Sequence, residues 1–336
     1  MAQVTLKMLA QKLNLSVSTV SKALHNRFDI NPETRERVIV LAKSLNYQPN
    51  LIASSLRTNK TNTIAVIIPE IANNFFNLAI NGIESVAREE NYHVLIYLSH
   101  EDYNKEIAFA KLAQNRRVDG VLISVSQNTT AFNHLTELVN ENIPLVYFDR
   151  VNENMKVPRI TTNDFESGYL ATEHLIKQGC KKIAHLTLRK DPSIAIKRKN
   201  GYLKALKDHK LPVNRGMILH STDDNKKDAE MVRRLLKGNN RPDGIFAAVE
   251  KMAMAGYAAC ASLGLTIPHD VKIIAFSNLE IASFLNPSLS TITQPAFEMG
   301  RAAAKALFDI IKKGKNPMGD VRAVLSSQLV IRNSTI

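Results

Sequence analysis

The sequence predicts an α/β protein: an N-terminal headpiece of three helices, then a core of two lobes, each a doubly wound parallel sheet. Three observations carry this expectation. Apolar residues in the first fifty positions recur at helical spacing in three short blocks. From Thr63 onward, short apolar runs alternate with helical stripes, and the series runs twice. Charge is divided unevenly: residues 1–60 hold nine lysines and arginines against three acids, a net of +6 within a chain total of +13.

In order, Leu6, Leu9, Ala10 and Leu13 form the apolar stripe of a first helix, which Thr5 opens as a cap. Asn14 closes it, because Asn tolerates the left-handed backbone that a tight turn needs. Ser16 caps a second helix with Val20 and Leu24 turned inward. Val17, Ser18, Ser21, Lys22 and His25 fall on its other side. That outward face is small, polar and basic, which suits a DNA major groove. Asn31 and Pro32 supply a cap and a first-turn proline for a third helix, whose Val38, Leu41, Ala42 and Leu45 face the core. The direct reading is a helix–turn–helix. Helix pairs of this spacing also occur in interaction modules; the concentrated positive charge favours phosphate as the partner.

Pro49 then ends regular structure, and Asn50 caps a very short helix over 51–56 before a polar linker. So short a helix has no independent stability, so it is ordered only when something packs against it. It is a hinge. In the core, strand 64–68 ends at Pro69 and is followed by helix 75–90, strand 94–98, helix 102–115, strand 120–123, helix 130–141 and strand 145–148. The cadence restarts with helix 163–178, strand 182–187, helix 198–209, strand 217–219, helix 226–237, strand 244–248, helix 251–262 and strand 271–276. Segment 289–294 leads to helix 297–313 and a last strand near 324–325, which cross back between lobes. A ligand is expected between the lobes, off the carboxyl ends of their strands.

Composition narrows the function. A chain of 336 residues, 45% hydrophobic with mean hydropathy −0.14, has the makings of two or three ordinary globular domains. No apolar run reaches membrane-spanning length. The opening MAQVTLKMLA lacks a signal-peptide layout, which predicts a cytoplasmic protein. Cys180 and Cys260 have no CxxC spacing and read as reduced, buried residues. The nine histidines show no metal-ligand spacing, so neither metal nor cofactor is expected. An enzyme such as a sugar dehydrogenase is disfavoured: PEIANN, not G-x-G-x-x-G, follows the first strand, and no P-loop or G-x-S-x-G occurs. His100, Asp102 and His185 are lone polar residues at strand ends rather than a catalytic group.

The stretches VTLKMLAQKLNLSVSTVSKAL, NPETRERV, LNYQPNLIASSLRT, IAVIIPEIANNFFNLAINGIE, VDGVLIS, IPLVYFDR and LSTITQPAFEMGRAA follow one another through the chain. Through them the sequence resembles the LacI/GalR family of bacterial transcription regulators over essentially its whole length. The resemblance implies a homodimer in which each headpiece reads a half-site of a near-palindromic operator. It also implies a periplasmic-binding-protein-like core that binds a small, carbohydrate-like effector and controls operator affinity allosterically, most commonly for repression. By resemblance, Val17, Ser18 and Lys22 are base-reading, while Ser16, Thr19, Ser21 and Asn26 make phosphate and register contacts. Leu56 takes the place of a minor-groove wedge with Ala53 as its small neighbour; Thr5, His25 and Asn50 complete the DNA-facing set. Elementary chemistry agrees: Lys22 can donate to guanine, Val17 can meet a thymine methyl, and an apolar wedge kinks a base step.

The resemblance further implies that Asp149, Arg198, Phe75 and Phe76 line the effector site, with Asp223, Val249, Glu250, Ser277, Asn278 and Gln294. Two positions depart from the family pattern. Val249-Glu250 stands where many members carry Asn-Asp, and Ser277 replaces a carboxylate that commonly bonds sugar hydroxyls. With Arg150, Lys197, Arg198 and Lys199 nearby in sequence, an anionic effector such as a uronate or sugar phosphate is the alternative. Expected boundaries are 1–49 for the headpiece, 50–62 for the hinge, 63–162 plus 294–323 for one lobe, and 163–293 plus 324–336 for the other. A solute-binding protein without a DNA role fits the lobes equally well; the basic headpiece opposes it.

Overall fold

The computed structural model describes residues 4–24, 29–47, 60–314 and 321–336, and forms two compact units, 1–61 and 62–336. In the first, α1 (Leu6–Leu13), α2 (Val17–Leu24) and α3 (Pro32–Ser44) close around Leu9, Ala10, Val20, Ala23, Val38 and Ala42. The caps are those the side-chain chemistry asks for. The Met8 amide donates to Thr5 Oγ1, the Thr19 amide to Ser16 Oγ and the Glu33 amide to Asn31 Oδ1. Asn14 is left-handed (φ 56°), and the Leu15 amide reaches back to the Ala10 carbonyl, closing α1.

The second unit holds two six-stranded sheets. The first is built from β1 (Thr63–Ile68), α4 (Asn74–Glu89), β2 (His93–Leu98), α5 (Tyr103–Leu112), β3 (Gly120–Ile123), α6 (Asn133–Asn140), β4 (Leu145–Phe148) and β5 (Arg159–Thr162). The second takes α7 (Asp164–Lys177), β6 (Ile183–Thr187), α8 (Ser193–Asp208), β7 (Ile218–His220), α9 (Asn225–Lys237), β8 (Gly244–Ala247), α10 (Glu250–Leu263), β9 (Lys272–Phe276) and β10 (Ser290–Thr293). The chain then returns through α11 (Ala296–Lys313) and β11 (Arg322–Leu325) to the first lobe and finishes with β12 (Gln328–Val330) in the second. Strand orders are β11-β5-β4-β3-β1-β2 and β12-β10-β9-β8-β6-β7, the same plan twice. In each lobe the order reverses beside the first strand, which opens a crevice at the strands' carboxyl ends.

The central strands are wholly apolar and buried, as two-sided sheets require. Each lobe also contains one helix pair in backbone contact. A Cβ on Gly300 would stand 2.0 Å from the Ala79 carbonyl oxygen in the first lobe, and one on Gly201 would stand 2.1 Å from that of Phe165 in the second.

Several expectations are corrected. β5 and β12 have no counterpart in the sequence reading, because RITT and QLV are too short and polar to form an apolar run. β11 pairs with β5, so residues 324 and 325 belong to the first lobe and the boundary expected after residue 323 falls beyond Leu325. The helix expected from Arg198 begins at Ser193, after Pro192. Helix 102–115 gives way at Ala113 to a wider π turn.

Candidate DNA-facing surface and effector cleft

On the headpiece, α2 turns Val17, Ser18 and Lys22 to solvent, and Ser16 lies exposed at its start with Thr19 half-buried beside it. Ser16 Oγ lies 2.7 Å from Ser18 Oγ and 2.8 Å from Thr19 Oγ1, so three hydroxyls cluster at the helix N-terminus. Thr5 is exposed and caps α1. Ser21 is a correction. It is buried, because the small side chain sits at the seam of α2 with its neighbours rather than on the outward face. Lys22 Nζ donates to Asp29 Oδ2 at 2.5 Å. His25, Asn26, Asn50, Ala53 and Leu56 lie outside the described residues.

In the core, the crevice between the lobes gathers Phe75, Phe76, Asp149, Arg198, Val249, Glu250, Ser277, Asn278 and Gln294 around one cavity, with Asn73, Arg150, Ile194 and Phe276. Each enters from the carboxyl end of a strand or the first turns of the helix that follows. Asn73 caps α4; Asp149 ends β4 with left-handed backbone (φ 61°); Val249 and Glu250 follow β8, and Ser277 and Asn278 follow β9. The cavity is narrow, about 40 Å³. Phe75 and Phe76 meet edge to face at 5.3 Å, and Phe76 packs on Phe148, so the pair is both cavity wall and core.

The charges are arranged in pairs. Arg198 donates from Nε to Asp164 Oδ1 (2.7 Å) and from Nη1 to the Ala248 carbonyl (2.6 Å), and lies 3.7 Å from the centre of the Phe276 ring. Its Nη2 is buried with no hydrogen-bond partner among the described residues. Arg150 donates from Nη1 to Glu101 Oε1 (2.7 Å). Lys197 pairs with Glu153 and Lys199 with Asp191, and neither lines the cavity. All four cations thus already carry a carboxylate. Asp149 accepts from Ser124 Oγ (3.2 Å), and Arg150 Nε lies 3.9 Å from its Oδ2. Burial raises its pKa to about 6, against the opposing pull of Arg150 and Arg198. Ser277 Oγ donates to Glu250 Oε2 (3.2 Å), and burial pushes the Glu250 carboxyl up as well. A carboxylate thus stands beside Ser277, that of Glu250 at the start of α10.

Asp223 is not part of the cavity lining. It bridges the lobes instead, accepting from Gln127 Nε2 (3.1 Å) and Lys251 Nζ (2.9 Å), while Gln127 Oε1 accepts from the Lys190 amide. Glu101 holds the other end of this relay, taking both Arg150 and the Gln127 amide. Asp223 follows β7, the sheet edge opposite the chain crossovers. Gln127→Ala is expected to weaken effector binding by about 1–2 kcal/mol, roughly tenfold. Asp223→Ala should do the same, and the double variant no more than either. Calorimetric titration of the four proteins checks this, and additive losses would show that the two side chains act separately.

Among the sequence candidates, His100 is a left-handed turn residue, Asp102 caps α5, and His185 is enclosed between Tyr202 and Phe246 with its pKa lowered to about 3 by burial. They form no common site. Asp164, Glu101 and Gln127 escaped the sequence reading. Asp164 shows there only as a first-turn acid, which commonly serves the helix dipole.

Comparison with known proteins agrees with this layout. Residues 5–50 match the model of bacterial regulatory proteins of the lacI family, and residues 172–335 that of a periplasmic binding protein-like domain. The ribose operon repressor of Halalkalibacterium halodurans is 32% identical over 333 residues, covering 98% of this chain and 97% of that protein. The lac repressor dimer bound to operator and the anti-inducer ONPF superposes with a TM-score of 0.88 at 21% identity over all of both chains. A LacI family transcriptional regulator from Enterococcus faecium with bound ribose is 27% identical with a TM-score of 0.72, covering 81% of this chain and 98% of that one. A helix–turn–helix headpiece joined to a two-lobed effector core, at this identity over this length, makes the chain a DNA-binding transcription regulator of the lacI family.

Proposed function

We propose that the chain is a repressor that binds a near-palindromic operator as a homodimer and is controlled by a neutral, hydroxyl-rich effector of monosaccharide size. The observation that carries the effector class is the Glu250–Ser277 contact opposite Asp149. Two carboxylates face the cavity while every nearby guanidinium is neutralised by its own acid. Such a site offers acceptors in excess, which suits donating hydroxyls and repels phosphate or carboxylate. The bound ribose of the E. faecium regulator and the name of the H. halodurans relative favour a pentose.

A second copy suits the core as partner because it exposes large apolar groups: Leu95 and Ile96 on edge strand β2, and Ile281 and Phe284 beyond β9. Two headpieces are what half-site reading requires. The test is calorimetry of the full chain with D-ribose and with ribose 5-phosphate, alongside gel shifts on operators selected from random duplexes. Neutral sugar alone should bind and change operator affinity. Binding of the phosphorylated sugar alone overturns the effector class.

Effector affinity should also depend on pH. A hydroxyl donating to Asp149 prefers the charged carboxylate, so binding lowers a pKa that starts near 6 and releases a proton below that pH. Affinity is expected to rise as pH increases toward 6 and to level off above it. Asp149→Asn should remove the slope, which titrations at a series of pH values will show.

A further inference from the structure

We propose that Glu106 is a positioning residue of the effector cleft: it grips both ends of the turn at 126–129 and so fixes where Gln127 meets the second lobe. This rests on reading the contact of Gln127 with Asp223 as a bridge between the lobes. Glu106 stands in α5 and is fully buried. Its Oε2 accepts from the Ser126 amide at 2.8 Å, and both its oxygens lie 3.0 Å from Thr129 Oγ1. Its Oε1 lies 2.9 Å from Nε2 of His134, at the start of α6. Ser126 and Thr129 are the first and last residues of a turn closed by its own bond, from the Thr129 amide to the Ser126 carbonyl (3.2 Å). Gln127 is the second residue of that turn.

The turn reads Ser126-Gln127-Asn128-Thr129 and carries no apolar side chain to anchor it. Its place is therefore set by hydrogen bonds, and a bond that exchanges freely with water holds little. A buried carboxylate is different. With no water to turn to, it keeps its donors close and in fixed directions. Glu101 adds to the hold from the same stretch of chain, its Oε2 taking the Gln127 amide (2.7 Å) and its carbonyl taking Asn128 Nδ2 (2.6 Å). All four turn residues are thus fastened to residues 101–106 of the first lobe. The side chain that reaches the second lobe is that of Gln127, whose Nε2 donates to Asp223 (3.1 Å) and whose Oε1 accepts from the Lys190 amide (3.3 Å). Contacts of this length lie near the limit of hydrogen bonding, so a small shift of the turn loses them.

The experiment uses the full chain and two readouts: amide hydrogen exchange at Lys190 in the second lobe, and calorimetric titration with D-ribose. Glu106→Ala strands several buried donors and is expected to fold poorly, so the grip is loosened at its other end by Thr129→Val. That variant should speed exchange at Lys190 on the order of tenfold and weaken D-ribose binding by a similar factor. In a Gln127→Ala background it should do neither. Glu106→Gln should follow the wild type in both readouts. Its amide oxygen can take the Ser126 amide and the Thr129 hydroxyl, while its NH2 group donates to the other tautomer of His134. Unchanged exchange at Lys190 in Thr129→Val overturns the proposal. So does an equal acceleration with and without the Gln127 side chain, because the turn then acts on the lobe as a whole. Exchange that responds while D-ribose affinity holds steady leaves Glu106 positioning Gln127, and it is the role of the bridge in effector binding that fails.

Discussion

Asp164→Ala is expected to lower the unfolding free energy of the effector core by about 3–5 kcal/mol, the cost of leaving a buried guanidinium without its counter-ion. Asp164 and Arg198 are both 2% exposed, and their 2.7 Å contact lies beneath the Phe276 ring that Arg198 covers. Without the carboxylate, Arg198 keeps only the Ala248 carbonyl as a protein partner among the described residues, and it must draw water inward or withdraw from the cavity. Effector binding should fall with stability, since the Arg198 side chain lines the cleft. Asp164→Ala combined with Arg198→Met should recover much of the stability, because a packed apolar side chain needs no counter-ion, but none of the binding. Urea unfolding of the three proteins separates the two roles. A loss below about 1 kcal/mol for Asp164→Ala would mean that the pair is well hydrated and does not organise the site.

Gly201→Ala should be nearly as damaging, although it adds one methyl group. Its Cβ would lie 2.1 Å from the Phe165 carbonyl oxygen and 2.6 Å from the Tyr169 nitrogen, both backbone atoms of α7 that cannot rotate away. The helices must separate, at an expected cost of about 3 kcal/mol. The displacement reaches the cleft directly, because Gly168 on α7 faces the Arg198 backbone at the same crossing. Weakened effector binding should therefore accompany the lower unfolding midpoint. Gly256→Ala is the comparison. There, on α10, the new methyl meets the side-chain tips of Ile273 at 3.2 Å and Ile245 at 3.8 Å, and the gain in helix propensity, up to about 1 kcal/mol, offsets the closer contact. Equal losses for the two alanines would show that the α7–α8 crossing adapts.

The parts of the fold that were legible in the sequence are those governed by neighbours a few residues away. Helical period placed Leu9, Val20 and Val38 in the headpiece core, and a left-handed Asn14 closed α1. The buried central strands were visible because both faces are covered and the run is continuously apolar. Ser21 was misplaced since a helical wheel gives direction but not where a neighbouring helix lies. In the effector set, Asp223 went to the lobe bridge, and each of the four cations behind the anionic alternative has an acid partner.

The sequence by itself determined the order of elements, the basic headpiece with its outward α2 face, the doubled βα plan, and most of the residues at the cleft. Only the tertiary structure decided which charges meet. Parallel strands set their carboxyl ends side by side whatever the length of chain between them, so Ser277 receives Glu250, Arg150 receives Glu101 and Arg198 receives Asp164. Local pattern holds no trace of such pairings, because the chain segments between these partners carry no signal of where the sheet returns them.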